Sequence, residues 1–179
     1  MSEIKIGRNV IFVGFMGTGK TTVSRMLAER MGWQCADTDE EIVRLAGRTI
    51  PQIFAEEGET AFRDWESRVL ADVLSGERRI VATGGGAVLR ESNRTAMLGR
   101  GWVVALTADK ESLIERVTGP ADGARPLLAG DAEARVTALL ESRKDAYDFA
   151  HAKVDTTGKT PAEVVEQVVR GLPEHWLRG

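Results

Sequence analysis

The chain has 179 residues, 42% hydrophobic and 28% charged, with 24 basic and 27 acidic side chains giving a net charge of −3. That length supports one domain with a full core and is short for two. The slight acidity excludes bulk attraction to nucleic acid or an anionic membrane, so any basic site must be a local cluster.

At the N-terminus, MSEIKIGRN lacks the apolar stretch of a secretory signal, and no later run approaches membrane-spanning length. The apolar run NVIFVG then predicts a strand, followed by a glycine-rich turn and a helix over 19–31. QCAD is a second short strand. Residues 38–66 carry three short helical patterns, with helix continuing to about 75. RIVATG, GWVVALT and AKVD are three further strands, interleaved with helices over 91–98 and 109–118 and followed by a helix over 161–171. Five apolar strands alternating with helices predict a parallel sheet covered on both faces. Ligands of such sheets bind outside the carboxyl ends of the strands, which here means just after Val13, Ala36, Ala82, Leu106 and Val154. Residues 38–66 are too long for a simple connection and read as an inserted acceptor-binding subdomain. The segment 118–130, TGPADGARPLLAG, reads as a lid. Both belong to one domain spanning 1–179.

The turn after the first strand, GFMGTGKTT, fits G-x-x-x-x-G-K-[ST] through Gly14, Gly19, Lys20 and Thr21. Its glycines let backbone N–H groups surround a phosphate, and the following helix adds its positive dipole end. Lys20 would reach the β- and γ-phosphates and the Thr21 hydroxyl would ligate Mg²⁺. A chance match in a chain this long is roughly one in a hundred at average composition. The loop residues Gly17, Thr18, Gly19, Lys20, Thr21 and Thr22 are therefore expected to hold a nucleoside triphosphate. The guanine-reading N-K-x-D motif of GTPases is absent from the sequence, and motor ATPases are usually longer.

CADTDEEI places Asp37 and Asp39 at the end of the second strand. On an extended chain both carboxylates project to one side. One can hold Mg²⁺ through its water shell while the other accepts the proton of an acceptor hydroxyl. The competing reading is helix capping by Thr38 or Asp39. Farther on, ETAFRDWESRVL sets Arg63 beside a stripe of Phe62, Trp65, Val69, Leu70 and Val73, with Glu59 and Glu66 one turn away. An arginine braced by carboxylates can aim its planar fork at a ligand carboxylate, although a surface ion pair has the same spacing. Gly84, Gly85 and Gly86 follow the third strand and offer backbone N–H donors at the binding edge, or a plain tight turn. Arg143 is a second candidate anion contact and Arg125 in the lid the candidate mobile cation for the transferring phosphoryl group, although most arginines are solvated surface residues.

Taken together, GFMGTGKTT, DTD, FRDWE, GGG, RPLLAG and SRKDAY resemble the shikimate kinase family, in order and spacing, over about residues 10–160. The resemblance implies a three-layer P-loop NTPase fold of the nucleoside monophosphate kinase type, with a five-stranded parallel sheet flanked by helices. It also implies ATP-dependent phosphorylation of the 3-hydroxyl of shikimate, with Mg²⁺ as cofactor, by a cytoplasmic monomer. Carried over by position, Asp39 contacts the shikimate hydroxyls and is the base, while Thr21 and Asp37 serve Mg²⁺. Arg63 and Arg143 hold the shikimate carboxylate, Gly84 to Gly86 contact the ring hydroxyls, and Lys20 and Arg125 stabilise the phosphoryl group. Phe54 and Phe62 wall the acceptor pocket, though both also suit the core. Two stretches depart from the family pattern. The chain from Arg116 to Arg125 runs longer, with Arg116 taken as the adenine-stacking residue. Lys159 stands where the family often has arginine and is taken as an ATP contact. The nearest alternative is a gluconate kinase of the same fold, against which the triple glycine and RPLL argue; a non-enzymatic ATP switch is the other.

The remaining candidates read as structural. Trp33, Trp65 and Trp102 are expected to pack, and Trp176 sits on a tail that docks or frays. His151 and His175 lack metal-site spacing. The single cysteine, Cys35, suits a reducing compartment. It lies two residues before Asp37 and is expected to be buried and inert.

Overall fold

A computed structural model describes residues 7–118 and 132–178. Five parallel strands, β1 (Asn9–Gly14), β2 (Gln34–Asp37), β3 (Arg79–Ala82), β4 (Trp102–Thr107) and β5 (Ala152–Asp155), form one sheet in the order β2-β3-β1-β4-β5. β1 lies at the centre and every one of its residues is buried, which is why it reads as an unbroken apolar run. Its alternate side chains feed two cores. Val10 and Phe12 pack with Val23 and Leu27 of α1 (Lys20–Met31) and with Val164 and Val168 of α7 (Pro161–Gly171). Ile11 and Val13 pack on the other face with Ile42 of α2 (Thr38–Ala46), with Phe62, Val69 and Leu70 of α3 (Ile50–Leu74), and with Met97 of α4 (Glu91–Arg100). This period-two division of one strand produces three layers.

A smaller cluster of Phe15, Leu113 and Val136 joins the phosphate-loop side to α5 (Lys110–Thr118) and α6 (Ala132–Ser142). At the far edge of the sheet, buried Asn9 donates to Gly76 O and Arg100 O and accepts from Arg79 N, which satisfies its side chain completely. The carboxyl edge is left for function.

The three helical patterns of 38–66 appear as α2 and a bent α3. Thr49 and Gln52 form a reciprocal cap at the start of α3, and the helix breaks where Gly58 takes φ 87°. Beyond that break α3 continues past residue 66 to Leu74, so it belongs both to the acceptor side and to the main core. α4 runs two residues longer than the 91–98 expectation. The C-terminal tail docks: Trp176 is buried, with its ring centroid 5.9 Å from that of Trp33. His151 is structural, its Nδ1 accepting from Val103 N while its ring stacks on Trp102. The expectation of a buried Cys35 is corrected. It is exposed, because β2 is an edge strand with one neighbour. No helix among the described residues is long and apolar enough to cross a membrane.

Candidate active site

The phosphate loop leaves the end of central β1. Gly14 has no room for a side chain, since a Cβ would sit 2.4 Å from Leu106 O of neighbouring β4. Gly19 holds φ 90° as the N-cap of α1 and supplies no side-chain oxygen to the first turn. An uncapped helix start of this kind presents N–H groups to an anion. The buried Thr18 hydroxyl donates to Phe15 O and closes the loop. Lys20 Nζ lies at its mouth, donating to Gly14 O and Phe15 O. Gly17 and Thr21 flank the same turn, and Thr22 is exposed on the first turn of α1.

Asp37 has three partners at once. Its Oδ1 accepts from the N–H groups of Asp39 and Glu40, and its Oδ2 accepts from the Thr21 hydroxyl at 2.9 Å. The helix cap expected of Thr38 or Asp39 is thus Asp37 itself. The extended-chain argument for Asp39 is also corrected, since Asp39 lies in the first turn of α2. Its carboxylate nevertheless reaches the triple glycine: a Cβ on Gly84 would stand 2.8 Å from Asp39 Oδ1 and 3.0 Å from Glu66 Oε2.

The other expected acceptor residues converge on the same glycines. A Cβ on Gly86 would fall 2.4–2.6 Å from three atoms of the Arg63 guanidinium, and one on Gly85 would lie 3.4 Å from Arg143 Nη1. Arg63 is braced as its spacing predicts, 2.9 Å from Glu66 and 3.6 Å from Glu59. Its guanidinium also sits over the Phe62 ring, which packs 4.7 Å from the Phe54 ring. Phe62 is buried and Phe54 half-buried, so both belong to the core whatever else they touch. Arg143 is buried, 6.0 Å from the Phe15 ring of the phosphate loop.

Glu66 does more than its helical spacing suggests. It is only 1% exposed, and its Oε2 has no hydrogen-bond partner among the described residues. Burial pushes its carboxyl above the ordinary range; Arg63 pulls it back, and nearby Asp39 pushes it up again. A buried acidic group held beside Asp39 and an arginine fork is where perturbed acid–base chemistry is expected.

On the nucleotide side, Arg116 Nη1 donates to Gly17 O at 3.0 Å and to the Thr156 hydroxyl at 3.1 Å, bridging the phosphate loop and the loop after β5. Lys159 is not brought to the phosphate loop; its ammonium holds Asp155 O and Gln167. Arg125 and the 118–130 segment that carries it lie outside the described residues, apart from Thr118 at the end of α5.

The shikimate kinase family model matches residues 16–173. The chain belongs to the shikimate kinase family. A shikimate kinase from Symbiobacterium thermophilum is 43% identical over 173 residues, covering 96% of this chain and 99% of that one. A second, from Gloeobacter violaceus, is 46% identical over 167 residues and covers 93% of each chain. The solved shikimate kinase from Acinetobacter baumannii, in complex with shikimate, superposes with a TM-score of 0.86 at 38% identity and covers 92% of each chain. The five-stranded parallel sheet flanked by helices is the P-loop fold of the nucleoside monophosphate kinase type.

Proposed function

We infer that the chain transfers the γ-phosphoryl group of ATP to the 3-hydroxyl of shikimate, giving shikimate 3-phosphate and ADP. The observation that carries this reading is the convergence of Arg63, Arg143 and Asp39 on Gly84–Gly86, beside a phosphate loop. Shikimate is a small hydroxylated carboxylic acid. It needs an anion fork, hydroxyl partners and a base, and this wall carries all three.

In the proposed mechanism, Arg63 and Arg143 clamp the shikimate carboxylate and fix the ring. The N–H groups of Gly84 to Gly86 and the Asp39 carboxylate meet the hydroxyls. Asp39 takes the 3-hydroxyl proton as that oxygen attacks the γ-phosphorus and the bond to the β-phosphate oxygen of ADP breaks. Gly17 to Thr22 cradle the phosphates, with Lys20 leaving its loop carbonyls for the transferring group. Arg125 adds positive charge there, Arg116 faces the adenine, and Lys159 is the weaker nucleotide contact. Thr21 and Asp37 fit a magnesium ion, because a hydroxyl and a carboxylate oxygen already meet at 2.9 Å and Mg²⁺ takes most of its ligands from water and phosphate. When bound, the ion neutralises charge on the phosphates. Residues 38–66 act as the acceptor subdomain and 118–130 as a lid. The chain works as a cytoplasmic monomer, a reading supported by its lone cysteine and by the few exposed large apolar side chains among the described residues, Val43, Leu45, Leu89, Leu98 and Leu177.

The reading is tested by coupled ADP release with shikimate, with gluconate and without acceptor. Release should depend on shikimate; gluconate-dependent release would shift the substrate, and basal hydrolysis alone would remove the kinase. Gly86→Ala should raise the KM for shikimate at least tenfold with little change for ATP, because the added methyl displaces the Arg63 fork. Equal losses for both substrates would contradict that placement.

A further inference from the structure

The triple-glycine turn has an asymmetric pattern of hydrogen bonds. Gly84 O accepts from Ala87 N, Gly86 O accepts from Leu89 N, and Gly85 O accepts from the Tyr147 hydroxyl at 2.8 Å. All three carbonyls are therefore engaged, while none of the three N–H groups has an acceptor among the described residues. Gly84 and Gly86 are buried, so their N–H groups are not simply turned to solvent. Buried donors left unmatched cost free energy unless a ligand or water meets them.

Two of the carbonyls are held by short-range backbone turns. The third is held from a distance of 62 residues by one side chain. Glycine has little intrinsic preference for either orientation of its flanking peptides, so the Gly85–Gly86 plane depends on that contact. The peptide is planar and trans, so fixing Gly85 O toward Tyr147 points Gly86 N–H the opposite way. Tyr147 also follows Arg143 by four residues, and the Arg143 guanidinium acts electrostatically on the same phenol. Burial, the larger influence, pushes the phenol above its ordinary range, so it remains a protonated donor at neutral pH. Its ring is buried in the core that also holds Phe62. Tyr147 thus touches both halves of the acceptor wall, the arginine and the glycine run.

We propose that Tyr147 is a positioning residue for acceptor binding, whose hydroxyl locks the Gly85–Gly86 peptide in the orientation that presents its N–H to shikimate. Without the lock the peptide samples both orientations, and apparent affinity falls by the fraction that remains competent. The proposal rests on the kinase reading above. SRKDAY contains this residue, but nothing in its spacing signals a partner on a distant turn.

The test is Tyr147→Phe, which keeps the ring and removes only the donor. Phe149→Leu serves as a control that loosens the same core without touching the turn. For Tyr147→Phe, the KM and calorimetric Kd for shikimate should rise about tenfold, the factor expected from one ordinary hydrogen bond. Its kcat and its KM for ATP should stay within about twofold of wild type. Phe149→Leu should lower the melting temperature and leave the shikimate KM unchanged. An unchanged shikimate KM in Tyr147→Phe, or shikimate and ATP constants rising together, overturns the positioning role while the wild type still turns over shikimate. Absence of shikimate turnover in the wild type overturns the kinase reading, and this inference with it.

Discussion

Asp39→Asn should lower kcat by about two to four orders of magnitude, the range by which a positioned general base accelerates a proton transfer. The substitution keeps shape and volume, so the close packing over Gly84 survives and α2 still starts from the Asp37 cap. What it removes is a basic oxygen and one negative charge in the first turn of α2, a loss of about 0.3–1 kcal/mol to the helix. The nucleotide side is untouched, because Thr21 and Asp37 remain paired and Gly14 to Thr21 are unchanged. ATP affinity should therefore stay near wild type while turnover collapses. Single-turnover kinetics with shikimate, alongside nucleotide titration, check this; normal turnover in the variant would remove Asp39 from the role of base.

Arg63→Ala has a different signature, because it strikes binding and stability together. Loss of a charge-assisted fork to a carboxylate should weaken shikimate binding by about two orders of magnitude, with ATP binding kept. The same change strands Glu66, which is 1% exposed and paired with Arg63 at 2.9 Å. Removing one partner of a buried pair costs about 3–5 kcal/mol. The pH dependence identifies the cause. Burial already holds the Glu66 carboxyl above its ordinary range, so ionisation works against the fold as pH rises through that raised value. Asp39 pushes it the same way, and only Arg143 remains to oppose it once Arg63 is gone. Destabilisation relative to wild type should be small in acid, where Glu66 is protonated in folded and unfolded chains alike, and should grow toward neutral pH. Adding Glu66→Gln to Arg63→Ala should recover much of the stability and none of the shikimate affinity. Denaturant unfolding at several pH values measures the first, and calorimetry the second. A pH-independent loss, or recovery of affinity in the double variant, would contradict the assignment.

The elements that could be read from the sequence are those whose pattern is local. Central β1 is buried on both faces and cannot be mistaken for an amphipathic strand. The phosphate loop announces itself because its glycines, lysine and threonine follow a strand and open a helix. Arg63 and its two carboxylates were legible because i+3 and i+4 spacing is a property of the helix itself.

What could not be read depends on where the chain turns and what folds back on it. Asp37 and Asp39 look equivalent in DTD, yet the helix starts at Thr38, which makes Asp37 the cap and carries Asp39 into the first turn. The three short helical patterns of 38–66 do not show that α3 resumes after its break at Gly58 and runs on to Leu74. The α6 helix lies next to a Gly/Pro-rich stretch and was not anticipated by the strand–helix alternation. The bridge that Arg116 makes between the two nucleotide-side loops and the bonds of Lys159 to Asp155 O and Gln167 are tertiary contacts that spacing does not show. The exposure of Cys35 follows from sheet order, which composition does not carry. Tyr147 and the unspent oxygen of Glu66 are tertiary facts with no local signature.

The central claim is that a phosphate-loop donor and an acceptor wall of Arg63, Arg143, Asp39 and Gly84–Gly86 together phosphorylate one hydroxyl of shikimate. Phosphorus–proton correlation NMR on the product of the chain with ATP, Mg²⁺ and shikimate tests it most directly. The account predicts a single phosphorylated species, with phosphorus coupled to the proton on C3 and ADP formed in equal amount. Inorganic phosphate as the only new phosphorus signal, or phosphate spread over several hydroxyls, would contradict it.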